Sequence, residues 1–154
     1  MNHLIFNKDD LLLEWCASQL PYVGRGADFG PARAIGVATG KTKTDRLMAV
    51  VVFHDYRPSY RTCQISMAAT DPRWASRRTI RDILAFPFYQ YGVNKVWVSI
   101  PHTSPRVIKF VKAIGFTQEA VLKEHFGRGV HCVVCRLMFH EYERRYLKKD
   151  AIAA

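Results

Sequence analysis

The chain has 154 residues, 49% of them hydrophobic and 23% charged. That balance suits one folded domain and argues against disorder or a fibrous repeat. Its 23 basic and 13 acidic side chains leave a net charge of +10, which favours a polyanionic partner, with phosphate on a small cofactor and phosphate on nucleic acid equally served at this level.

No apolar run approaches the roughly 18–20 residues that a bilayer requires, and Lys8, Asp9 and Asp10 break up any signal-peptide core. The expectation is therefore a cytoplasmic protein without membrane association, with residues 1–154 forming a single domain. Asn7 is expected to cap a first helix over residues 8–19, with Asp9 and Asp10 in the first turn where the helix dipole favours carboxylates. Leu11, Leu12, Trp15 and Leu20 form its inner stripe. A glycine-rich stretch, 24–31, follows. It is one residue too long for a dinucleotide fingerprint and comes after a helix, so it reads as a loop.

Strand-like runs over 32–39, 47–54 and 60–69 are joined by short polar turns at 40–45 and 57–59, as in antiparallel hairpins. After Pro72 the apolar period changes from two to 3.6. Ile80, Ile83, Leu84 and Phe88 share one helical face, Arg77, Arg78, Arg81 and Asp82 lie largely on the other, and Pro87 ends or kinks the helix. Residues 93–100 form a buried strand. Ser104 and Pro105 start a further helix with Val107, Ile108, Val111 and Ile114 on its apolar face, and Gly115 closes it. Runs over 116–125 and 130–139 make a last hairpin across 127–129, and 141–149 forms a short basic helix with a solvated face.

Cys132 and Cys135 match half of a zinc-ribbon spacing, with His131 and His140 nearby, and no second pair exists. Residues three apart in a strand point to opposite faces, so buried thiols are expected and no metal site. A strand joined to the next through a helix runs parallel to it. The expected class is thus α+β (α/β): a mixed, mostly antiparallel sheet with a parallel central strand pair, 60–69 beside 93–100, flanked by helices. Arg73, Arg77, Arg78 and Arg81 crowd a helix start, each at a cost of ~0.3–1 kcal/mol against the dipole. A bound polyphosphate reverses that cost, and a solvated basic face is the alternative.

Ser66 to Arg78 followed by Phe86-Pro87-Phe88, and Ser104 to Phe116 ending in Gly115-Phe116, resemble the cofactor region of the GNAT N-acetyltransferase superfamily. With the order of elements, the resemblance covers about the whole chain. With Pro72-Arg73-Trp74 in the loop, the chain is similar to small GNAT-like proteins encoded by phages and prophages. The resemblance implies transfer of an acetyl group from the cosubstrate acetyl-CoA to an amine on a protein or small molecule. It implies that main chain at Met67, Ala68 and Ala69 pairs with the pantetheine arm. The pyrophosphate would sit at the helix start, with Arg73, Trp74, Ala75, Ser76, Arg77 and Arg78 in the cofactor-binding set. Thr70 and Arg73 depart from the family's loop pattern, standing where it has Arg or Gln and Gly.

Many relatives carry a glutamate where Gln64 stands. An amide cannot take up a proton near neutral pH, so Gln64 is assigned to substrate orientation. His54, with the right intrinsic pKa, becomes the candidate base, its alternative being a bond to a turn. Glu119, Glu124, His125 and His131 are weaker candidates. The family's tyrosine acid falls at Val111, which leaves Ser104, otherwise only a helix cap, as the candidate acid and a further cofactor contact. Two other functions compete. One is a GNAT-shaped protein that binds acyl-CoA or a partner with little turnover. The other is a basic nucleic-acid-binding module, not favoured because no matching motif accompanies Arg144-Arg145 and Lys148-Lys149. A monomer or a homodimer is expected.

Overall fold

In the computed structural model, which describes residues 2–40 and 46–148, the alternating runs become a seven-stranded sheet. The strands are β1 (Asn2–Ile5), β2 (Ala32–Thr39), β3 (Arg46–Arg57), β4 (Thr62–Ala69), β5 (Lys95–Pro101), β6 (Thr117–Leu122) and β7 (Cys132–Met138). They lie in the order β1-β2-β3-β4-β5-β7-β6. β4 and β5 are parallel and every other neighbouring pair is antiparallel, in agreement with the crossover argument. The helices are α1 (Asp9–Gln19), α2 (Arg77–Ala85), α3 (Pro105–Ala113) and a short α4 (Phe139–Tyr142), which runs on as a wide turn over Glu143–Lys148.

Alternation divides the core between the two faces of the sheet. Val51, Phe53, Ile65, Val96 and Val98 pack with Ile80, Ile83 and Leu84 of α2 and with Val111 of α3. Val50 and Val52 point the other way, onto Leu12, Cys16 and Ala17 of α1 and onto Phe29. The middle of β3 is covered on both faces, hence its unbroken apolar run Met48 to Phe53. Gly36 lets α1 sit close on β2, because a Cβ there would stand 2.9 Å from Leu12 Cδ2 and 3.1 Å from Leu47 Cδ1.

Several expectations need correcting. β1 was not anticipated; it pairs its four residues with the end of β2. Asn7 does not cap α1. It takes a left-handed φ of 59°, Lys8 holds the cap position without a side-chain bond, and Asp9 spends its carboxylate on the Ala34 amide and on Arg33, each at 2.9 Å. Leu11 is 67% exposed, whereas Leu12, Trp15 and Leu20 face inward as expected, joined by Cys16 and Ala17. α2 begins later than expected: Pro72–Trp74 is a separate tight turn, and Ser76 caps the helix by accepting from the Thr79 amide at 3.2 Å. The helix gives way at Phe86–Gln90 to a wide turn that contains Pro87.

Ser104 stands at the cap position of α3, but its hydroxyl makes no capping bond. Gly115, at φ 117°, closes α3 as expected. The C-terminal segment is helical over Phe139–Tyr142 and Glu143–Lys148 with Arg144 and Arg145 exposed, as expected, while Tyr142 and Tyr146 are buried. Their hydroxyls donate to the Arg81 and Ile114 carbonyls, and Arg145 donates to the Ala113 carbonyl at the end of α3. The expected turn residues 41–45, and Lys149, lie outside the described residues. Cys16, Cys63, Cys132 and Cys135 are buried free thiols; burial pushes Cys16 and Cys63 up to about 12 and raises the other two. Among the described residues, no helix is long and apolar enough to cross a membrane.

Candidate active site

β4 and β5 are paired only over Thr62–Gln64 and Lys95–Trp97. From Ile65 onward β4 follows β3, while Val98 onward follows β7, so the two parallel strands part. The gap is a slot with its closed end at the Gln64–Trp97 rung. Adjoining cavities of about 520 and 220 Å³ run along it, both bordered by Leu20, Met67 and Val107. Ser66, Ser99 and Ser104 line the inner part; Ala68, Ala69, Trp74, Arg106 and Phe110 line the outer part. Trp74 is 4% exposed and its ring lies 5.7 Å from that of Phe110, so it both fills the core and forms a wall.

Alternation places His54, Gln64 and Ser66 on the α1 face of the sheet. His54 is opposite Gln64 in register, and Ser66 is two residues further along, opposite Val52. His54 Nε2 lies 2.8 Å from Ser66 Oγ, and the Phe29 ring stands edge-on to the imidazole at 5.3 Å. Burial lowers the His54 pKa to about 4, against a smaller upward pull from Asp55. The imidazole is therefore neutral at neutral pH and reaches the slot through the Ser66 hydroxyl. Gln64 Nε2 donates to Ser99 Oγ at 3.0 Å, which fixes its carboxamide across the closed end.

No family model matches this sequence, and no curated protein matches it. Solved structures do. Spermidine/spermine N-acetyltransferase SpeG from Vibrio cholerae, in a mutant form, gives a TM-score of 0.71 at 14% identity over 94% of this chain and 99% of that one. The same enzyme in a dodecameric structure gives 0.71 at 14% over 94% and 97%, and its chimera with hSSAT gives 0.71 at 14% over 92% and 98%. This chain has the GNAT fold.

The far end of the slot differs from what the GNAT resemblance implies. Asp71 folds over the β4–α2 loop, accepting from the Arg73 amide at 2.9 Å and from its guanidinium at 2.7 Å. Those bonds hold the Asp71 carboxyl down at about 2. The Trp74 and Ala75 amides are likewise spent on the Asp71 and Pro72 carbonyls. Arg73, Arg77, Arg78 and Arg81 stand just before and along the start of α2, and three of them are engaged within the chain. Arg73 is paired with Asp71, and Arg77 lies 5.4 Å over the Tyr146 ring and donates to the Arg145 carbonyl. Arg81 pairs with Asp82 at 3.0 Å, and Arg78 is exposed. In each paired case a carboxylate, carbonyl or ring of the chain itself takes up the guanidinium. Ser76 is engaged as a cap with Thr79, and Ala75 and Arg77 line a separate cleft with Ala113 and Tyr146.

The weaker candidate bases do not line the slot. Glu119 is held by Lys95 at 2.8 Å and Arg136 at 3.3 Å. Glu124 accepts from the Gly129 amide, the His131 Nδ1 accepts from the Glu124 amide, and His125 rests against Phe126. Sequence reasoning missed Ser66 and Ser99, although alternation from Gln64 and Trp97 puts both on the right face. It missed Arg106 and Phe110 as well, and it took Val107 for a core residue, whereas that side chain is 41% exposed and lines both cavities.

Proposed function

We propose that this chain moves an acetyl group from acetyl-CoA to a primary amine. In this proposal residues 1–154 act as one domain in the cytoplasm, as a monomer or homodimer, and the likeness of the Pro72–Trp74 loop to phage-encoded GNAT-like proteins is kept. One observation carries the reading: the parting of β4 and β5 one rung beyond Gln64 and Trp97. An edge of β4 from Ile65 to Ala69 that makes no ladder to β5 suits an extended arm adding to it as a strand. The apolar wall of Met67, Ala68, Val107 and Phe110 suits the arm's methylenes. At the far end Arg106 offers a cation to phosphate, and Arg73 does so once it leaves Asp71.

When bound, acetyl-CoA supplies an activated acyl carbon on a thiol leaving group. The chain's own residues manage the protons. Gln64, with its Nε2 committed to Ser99, presents its carbonyl oxygen to an N–H of the incoming amine. Ser66 takes the proton that the amine sheds and passes its own to His54 Nε2. Amides of Met67 to Ala69 would face the acyl oxygen, and Ser104, whose hydroxyl is not spent on capping α3, would donate a hydrogen bond to the departing thiolate, which takes its proton from solvent. A lysine-like amine titrates near ~10.4, so an imidazole at about 4 works best on an amine that arrives already neutral.

That low basicity and the Asp71 carboxylate at the phosphate end favour a second reading, an acyl-CoA-binding protein with little turnover. Calorimetry with acetyl-CoA and desulfo-CoA, followed by thiol release with an amine panel, tests both. Saturable binding with amine-dependent release is the expected result. Binding without release selects the second reading, and absence of binding overturns both.

A further inference from the structure

Val96, Val98 and Ile100 of β5 are buried beneath α2 and α3, so Lys95, Trp97 and Ser99 project from the opposite face. Trp97 is half-buried and belongs to neither core cluster, whereas Trp74 lies within one cluster and Trp15 packs on the other. On its own face α1 packs against β2, β3 and β4, which leaves this indole to one side of the helix. Its neighbours in register are Gln64 on β4 and Arg136 on β7. The Gln64–Trp97 rung is the last before the strands part, so Trp97 stands at the position that closes the slot, on the face that carries His54 and Ser66.

We infer that Trp97 is the platform for the body of the acceptor, and that the acceptor is a primary amine carrying a flat aromatic ring. The inference rests on the acetyl-transfer reading for which atom the amine must reach. An amine delivered to Ser66 from this face has its remaining atoms over the Gln64–Trp97 rung. A planar indole at that place rewards a stacked ring. Charge narrows the choice further. Lys95 precedes Trp97 on the same face and Arg136 stands opposite it, held by Glu119 at 2.8 and 3.3 Å, with Arg136 also 3.3 Å from Glu141. A second ammonium over Trp97 finds no unengaged carboxylate in this set, since Glu119 and Glu141 are already paired with Lys95 and Arg136. A polyamine such as spermidine, for which the matching Vibrio cholerae enzymes are named, is therefore a poor occupant, and an uncharged ring is a good one.

The test uses the full chain with tyramine, n-propylamine and spermidine as probes. Calorimetry, with and without desulfo-CoA, measures binding, and thiol release from acetyl-CoA measures turnover. Tyramine is expected to bind about tenfold or more tighter than n-propylamine and spermidine. Trp97→Ala should erase that preference, and Trp97→Phe should keep most of it. An equal preference in Trp97→Ala, or tighter binding of spermidine, overturns the inference. Because binding is read without turnover, tyramine that binds through Trp97 but is never acetylated sinks only the transfer reading.

Discussion

Lowering the pH from 7 to 5 should cost the folded protein about 2 kcal/mol through His54 alone. Burial against Phe29 holds the imidazole at about 4, whereas the unfolded chain titrates near 6.5. The folded pKa is the lower one, so the unfolded state takes up the proton first as the pH falls. The stability is fully present above the unfolded pKa, is lost between about 6.5 and 4, and changes no further below. At pH 5 protonation favours the unfolded state about thirtyfold, against about 1.3-fold at pH 7; at about 1.4 kcal/mol per decade the difference is about 2 kcal/mol. His54→Gln keeps a group that can bond Ser66 and removes the titration. Urea unfolding of both proteins at the two pH values is the assay, with the wild type expected to lose about 2 kcal/mol more than the variant. Equal losses would refute the argument that His54 is held neutral by burial.

Three other perturbations address the slot and its supports. Val107→Trp adds bulk at a partly exposed position that lines both cavities. Acetyl-CoA affinity should fall at least about tenfold while the urea midpoint barely moves, and undiminished binding would place the arm elsewhere. Asp71→Asn removes the carboxylate that holds Arg73 and should raise acetyl-CoA affinity roughly two- to fivefold at low salt; weaker binding in calorimetry would mean that the Asp71 turn shapes the site rather than obstructing it. Tyr146→Ala removes a ring buried between α2 and α3 together with its bond to Ile114. A loss of about 3–5 kcal/mol is expected in urea unfolding, and a loss below about 1 kcal/mol would show the C-terminal segment to be loosely docked.

The sheet was legible because its strands alternate and its turns are polar. The parallel pair followed from the helix that joins its two strands, before any contact was known. The helix ends were harder to read. Asn7 and Ser104 look like caps by residue type, yet a left-handed backbone at Asn7 and an uncommitted hydroxyl at Ser104 are decided by neighbours distant in sequence. The engagement of the arginines was illegible for a related reason. A count of charges near a helix start cannot register that Asp71, Asp82 and the Tyr146 ring, the last 69 residues beyond Arg77, take up those guanidiniums. Ser66 lay hidden in plain alternation. Its distance of 2.8 Å to His54 depends on the β3–β4 register, which neither strand encodes alone.

The strand order has a consequence for synthesis. Among the described residues β7 comes last of the strands in chain order, yet its place is inside the sheet, between β5 and β6. Until residues up to Met138 have emerged, β5 offers an unsatisfied hydrogen-bonding rim and β6 has no neighbour, an invitation to pair with another nascent chain. Stalled or truncated translation products are thus the forms of this protein most prone to clump, whatever the finished molecule's solubility.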